Sequence, residues 1–127
     1  YKFLFLFSSV LFFTACSSDA QTNEEGGDAT INKVVSVDEF KELMKKDNVQ
    51  IIDVRTDNEC DKGMIEGAEQ INFHDANFKA ELKKLDNSRP TLVYCAAGSR
   101  SAKAAAIMKE LGFTEVYDLQ GGYGAWR

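Results

Sequence analysis

The sequence predicts an α/β domain with a central, mostly parallel sheet and helices on both faces. Three observations carry that reading. Short β-rich runs alternate with segments of helical periodicity from residue 31 onward. Two of the runs, residues 49–54 and 91–94, are almost continuously apolar, as strands covered on both faces are. A chain of 127 residues, 44% of them hydrophobic, is enough for one core of ordinary size and too short for two.

In order along the chain, residues 31–35 form a short strand. Ser36 is placed to cap a helix whose Val37, Phe40, Leu43 and Met44 share one face. Residues 49–54 are a buried strand, followed by a polar stretch from Arg55 to Lys62 in which Thr56 or Asp57 can cap a short helix. Gly63 and Gly67 break the chain before a strand over residues 70–73. Asp75 then caps a helix with Phe78, Leu82 and Leu85 at i, i+4 and i+7, and residues 88–90, Ser-Arg-Pro, stop it. Residues 91–94 are a strand that runs into Cys95. A loop over residues 96–100 leads to a helix from Ser101 to Leu111, with Ala104, Ile107, Met108 and Leu111 inward and Gly112 ending it. Residues 115–119 are the last strand, before the Gly121-Gly122 turn and a tail with Trp126.

Ahead of this domain, residues 3–13 are an apolar run too short for a membrane span and right for the hydrophobic region of a secretory signal. Thr14-Ala15-Cys16 then resembles the lipobox of bacterial lipoproteins, with Phe13 where an aliphatic residue is usual. We expect a signal over residues 1–15, export to the periplasm or cell envelope, and a lipid on Cys16 as membrane anchor; an ordinary secretory signal is the plainer alternative. Residues 16–30 lack large apolar side chains and read as a flexible acidic tether. Residues 1–30 carry one lysine against four acids, so more than half of the net charge of -5 lies outside the folded part, residues 31–127.

Composition narrows the chemistry. Fifteen basic residues against 20 acidic ones argue against a nucleic-acid partner. Three cysteines and one histidine exclude a two-Cys, two-His zinc finger, a three-His metal site and a His-Glu-x-x-His protease. No metal or other cofactor is expected.

Cys95 ends a strand, where α/β sheets place their sites. Ala96, Ala97, Gly98, Ser99 and Arg100 have mostly small side chains and include a glycine, so successive backbone N–H groups can converge on one point ahead of a helix. That cradle, the helix N-terminus and Arg100 all favour an anion, which lowers the pKa of Cys95 and makes it nucleophilic without a histidine base.

With these residues in view, the domain resembles a single-domain rhodanese, a sulfurtransferase. The resemblance covers about residues 34–126. It rests on Ile52-Asp53-Val54-Arg55 with Glu59, on Gly63-Met64-Ile65-Glu66-Gly67-Ala68, on Val93-Tyr94-Cys95-Ala96-Ala97-Gly98-Ser99-Arg100-Ser101, and on Leu111-Gly112-Phe113 through Leu119-Gln120-Gly121-Gly122 to Trp126. It implies that Cys95 takes a sulfane sulfur from thiosulfate or a persulfide and passes it to a thiol or cyanide-like acceptor. It further implies that the amides of residues 96–100 stabilise the anionic sulfur and Arg100 holds the donor, unless Arg100 is spent in a surface ion pair. Asp53, Arg55 and Glu59 brace the loops, with Arg55 and Glu59 expected as an ion pair and Arg55 as a secondary substrate contact. Met64 stands where the family most often has histidine, and Ala97 where some thiosulfate-specific members have a basic residue. Cys60 is expected to pack, His74 to lie at the surface, and Trp126 to close the core. The domain is expected to be monomeric.

Two other readings compete. A cysteine-loop phosphatase or arsenate reductase also sets Cys and Arg around an anion, but with one more residue between them than the four found here, Ala96 to Ser99. A tethered, non-enzymatic sulfur carrier or binding module would keep the same loop.

Overall fold

The computed structural model describes residues 30–127; the signal and nearly all of the tether lie outside the described residues. Five strands, β1 (Ile31–Val35), β2 (Gln50–Asp53), β3 (Ala68–Gln70), β4 (Thr91–Tyr94) and β5 (Glu115–Leu119), form one sheet in the order β1-β5-β4-β2-β3. Every pairing is parallel. The central strands β2 and β4 are buried at every position, and Ile51, Ile52, Leu92, Val93 and Tyr94 at their centres give them the apolar character of strands covered on both faces.

Helices α1 (Val37–Leu43), α2 (Asp57–Asp61), α3 (Phe78–Lys83), α4 (Ser99–Glu110) and α5 (Gly122–Trp126) complete the fold. On one face, Ile52, Val54, Val93, Cys95 and Val116 pack with Phe78 and Leu82 of α3 and Ala104, Ala105 and Met108 of α4. On the other, Val35, Ile51, Leu92, Tyr94 and Leu119 pack with Phe40 of α1, and Tyr123 and Trp126 of α5 lean against them. Burying each of the larger aliphatic side chains contributes about 1.5–3 kcal/mol, so the two layers together hold the sheet ends in place.

Ser36 caps α1 as expected, accepting from the Glu39 amide at 3.1 Å. Thr56 rather than Asp57 caps α2, in a reciprocal capping box with Glu59. Three boundaries differ from expectation. Strand β3 lies two residues earlier and ends at Gln70, because it pairs with the short β2, Ile51 to Asp53 against Ala68 to Gln70. Asn77, not Asp75, precedes α3; the Asp75 carboxylate instead accepts from the Asn77 amide and shapes the turn before it. Helix α4 begins at Ser99, so Ser99 and Arg100 are its first turn rather than loop. The terminal segment carrying Trp126 is also helical, and Trp126 meets Phe40 edge-on at 5.9 Å between ring centroids.

Candidate active site

Cys95 follows the C-terminal end of β4 and is 1% exposed. Gly98 sits at φ 119°, a backbone conformation that side-chain-bearing residues rarely adopt, and this turns the loop back on the cysteine. The Gly98 amide donates to Cys95 Sγ at 3.0 Å, and the Ser101 hydroxyl lies 3.4 Å from the same sulfur. Burial by itself pushes the Cys95 thiol up. Hydrogen bonds from the Ser101 side chain and from the amides of Ser101, Gly98 and Ala97 outweigh it and hold the pKa below its ordinary value.

The loop is clamped from above by α5. The Tyr123 amide donates to the Cys95 carbonyl at 2.7 Å and the Gly124 amide to the Ala96 carbonyl at 3.0 Å. A Cβ on Gly122 would lie 2.5 Å from the Cys95 carbonyl oxygen and 2.6 Å from the Ala96 backbone. The close approach of two backbones therefore requires glycine there. The sequence showed only a tight glycine turn near the site, and the doubled glycine was the available sign of this clamp.

The charged residues pair differently from the sequence expectation. Arg55 binds Asp53 rather than Glu59: its Nε donates to Asp53 Oδ1 at 2.9 Å and its Nη2 to Oδ2 at 2.7 Å, and Nη2 also reaches the Gly63 carbonyl at 2.7 Å. Asp53 is wholly buried and Arg55 4% exposed, so the pair braces the β2 end against the Gly63 turn. The guanidinium also stacks 4.2 Å from the centroid of the Tyr123 ring. Glu59 belongs instead to Arg100, which grips it through both terminal nitrogens at 2.8 and 2.9 Å. As arranged, Arg100 is engaged in an ion pair with Glu59.

Glu59 has two tasks, since the oxygen that takes Arg100 Nη1 also accepts from the Thr56 amide and hydroxyl, each at 3.0 Å. The Arg100 hydrogen bonds, above all, lower its pKa to about 2. Glu59 therefore stays ionised in mildly acidic solution and ties α2 to the first turn of α4.

Beside the loop opens a cavity of about 310 Å³ lined by Arg55, Glu59, Lys62, Ala96, Tyr123 and Arg127, among others. Lys62, Tyr123 and Arg127 were not singled out from sequence, because only the fold carries α5 to the Cys95 loop. Cys60 is half-buried; burial, and then the Asp53 carboxylate, push its thiol up to about 12. His74 is exposed and away from this cavity's lining. Among the described residues no cluster of His, Cys, Asp and Glu is arranged to hold a metal ion.

Comparison with known proteins agrees with this architecture. The chain is 36% identical over 94 residues to a thiosulfate sulfurtransferase GlpE of Shewanella oneidensis, covering 74% of this chain and 91% of that protein. It is 30% identical over 96 residues to a sulfurtransferase of Allochromatium vinosum, covering 76% of this chain and 88% of that one. The crystal structure of a rhodanese-like domain protein from Staphylococcus aureus superposes with a TM-score of 0.66 at 32% identity, covering 75% of this chain and 91% of its own. The rhodanese-like domain profile matches residues 36–127, and this chain belongs to that sulfurtransferase family.

Proposed function

We propose that Cys95 is the sulfur-accepting nucleophile and that the reaction passes through a Cys95 persulfide. The observation that supports this most directly is the buried sulfur facing the Gly98 amide and the Ser101 hydroxyl at the head of α4. The Cys95 thiolate attacks the outer sulfur of a donor such as thiosulfate or a low-molecular-weight persulfide. The new S–S bond forms as the donor's own S–S bond breaks, and the leaving sulfite or thiolate takes the electron pair. An acceptor thiolate or cyanide then attacks the outer sulfur of the persulfide and returns Cys95 as thiolate. The converging amides of the Cys95 loop stabilise the anionic outer sulfur, as an oxyanion hole stabilises oxygen.

Since Arg100 is held by Glu59, the cations that greet an anionic donor in this reading are Lys62 and Arg127 on the cavity wall, which Arg55 also lines. Asp53, Glu59 and Arg100 are scaffold, and Arg55 both braces the loops and lines the cavity. The test is mass spectrometry of the protein after incubation with thiosulfate, polysulfide or glutathione persulfide. One added sulfur on Cys95, absent in Cys95→Ser, is expected; no adduct with any donor refutes the persulfide. Sulfur loading without release to cyanide or thiol acceptors would favour the carrier reading, and hydrolysis of an aryl phosphate would favour the phosphatase reading.

We also propose export and anchoring through a lipid on Cys16, supported by the apolar run and the small residue before that cysteine. None of the described helices is long and apolar enough to cross a membrane. Incorporation of labelled fatty acid that is lost in Cys16→Ala is the expected result; unchanged labelling of that variant refutes attachment there.

A further inference from the structure

The cavity beside the Cys95 loop is larger than a small inorganic donor needs. Its volume of about 310 Å³ equals about ten water molecules of the liquid. Pockets for small organic ligands begin near this size, at about 300 Å³, whereas a compact anion such as thiosulfate fills only a minor part of it. The cavity meets the loop at Ala96, next in sequence to Cys95, and Tyr123 and Gly124 of α5 adjoin it there, their amides donating to the carbonyls of Cys95 and Ala96. A methyl group, an aromatic ring and a glycine offer carbon rather than charge, which suits the skeleton of an organic molecule.

The charged residues of the lining are unevenly paired. Glu59 is held by Arg100 at 2.8 Å. Lys62, at the C-terminal end of α2, and Arg127, at that of α5, enter no ion pair among the described residues. Arg55 is the third cation and is only 4% exposed. Asp53 and the Gly63 carbonyl take its Nε and Nη2. Its Nη1 has no hydrogen-bond partner among the described residues, and it is not sealed in, because Asp118 Oδ1 alone among them is a buried side-chain nitrogen or oxygen left without one. Arg55 lines the cavity, so Nη1 is open to a ligand there. A guanidinium fixed by Asp53 at depth and two unpaired cations on the walls suit a ligand that carries carboxylates.

We propose that the cavity is a subsite for a carboxylate-bearing thiol of short-peptide size, with a carboxylate on Arg55 Nη1 and the remaining negative charge met by Lys62 and Arg127. Its part as sulfur donor, in the form of its persulfide, rests on the proposed role of Cys95. In that step the Cys95 thiolate bonds to the outer sulfur as that sulfur's bond to the carrier breaks, and the carrier leaves as a thiolate with the electron pair. Binding of the carrier itself does not rest on that reading.

The experiment titrates S-methylglutathione, which carries carboxylates and transfers no sulfur, into the full chain, and follows the amide resonances of Ala96, Tyr123 and Gly124. Its diethyl ester, which keeps the skeleton and loses the negative charges, is titrated beside it. Saturable shifts at those residues are expected, with half-saturation about tenfold or more higher for the ester. Lys62→Gln and Arg127→Gln should each raise half-saturation by the acid about threefold, and leave that by the ester within about twofold. Arg55→Lys keeps the charge without Nη1 and should also weaken the acid; the two exposed positions decide if that variant fails to fold. Acid and ester binding alike, shifts confined to other parts of the domain, or no shifts overturn the subsite, whether or not thiosulfate loads Cys95. The persulfides of glutathione and of its diethyl ester are then compared as donors, and loading of Cys95 at lower concentrations of the acid is expected. Equal loading by both overturns the part of the carrier in transfer. Binding of the acid with no loading from any donor overturns the persulfide, and the donor role with it, and upholds the subsite.

Discussion

Cys95 and Cys60 are both free thiols, yet their surroundings drive them in opposite directions. Cys95 is the more buried of the two, and burial alone penalises a thiolate. Its pKa is nonetheless lowered, whereas that of Cys60 rises to about 12. What separates them is the sign of the groups aimed at sulfur. Cys95 faces amides and a hydroxyl at a helix start, while Cys60 faces the Asp53 carboxylate, whose charge already answers to Arg55. Depth does not decide reactivity here; the direction of the neighbouring dipoles does.

The largest expected break in this contrast comes from the loop backbone. Gly122→Ala drives a Cβ into the Cys95 and Ala96 backbone, and should cut neutral-pH alkylation of Cys95 by about tenfold or more, with a lowered melting temperature. Gly98→Ala meets no atom within 4 Å, so it isolates strain from crowding. A left-handed alanine costs about 1–2 kcal/mol, and the loop should relax and release its amide from the sulfur. Circular dichroism should show an intact sheet and labelling kinetics a weakened Cys95.

Next in size is Ser101→Ala. Removing a donor to an anion should raise the Cys95 alkylation midpoint by about one unit, equivalent to about 1.4 kcal/mol, while Cys60 is unchanged. The pH profile of the unaltered protein sharpens the contrast further. A thiol reacts as its thiolate, so the lowered Cys95 should label at lower pH than an ordinary cysteine, and Cys60 should label far more slowly than Cys95 at every pH short of strong alkali. Labelling of both at equal rates near neutral pH would contradict the difference. The smallest effect belongs to Cys60→Ala, expected to leave Cys95 labelling and sulfur loading within about twofold, because the Asp53 carboxylate and burial, rather than the Cys95 loop, set the surroundings of Cys60.

The strands were readable because parallel strands buried on both sides write their burial as near-continuous apolar runs, as Leu92, Val93 and Tyr94 do. The caps at Ser36 and Thr56 were readable because capping is local. Edge strand β3 was misplaced because Ala68 to Gln70 has little apolar pattern and takes its position from β2. At the site, Cys95 and its loop stood out as a contiguous motif, but the partner of each arginine did not. Arg100 finds Glu59 because adjacent parallel strands β2 and β4 deliver α2 and α4 to the same sheet edge.

The clamp from α5 has a consequence for the order in which reactivity appears during synthesis. Cys95 leaves the ribosome well before Tyr123 and Gly124, whose amides hold the carbonyls of Cys95 and Ala96. Until that helix docks, the loop lacks the two hydrogen bonds that fix the carbonyls of Cys95 and Ala96. The surroundings of the cysteine are thus completed only when the last of the described helices closes on them.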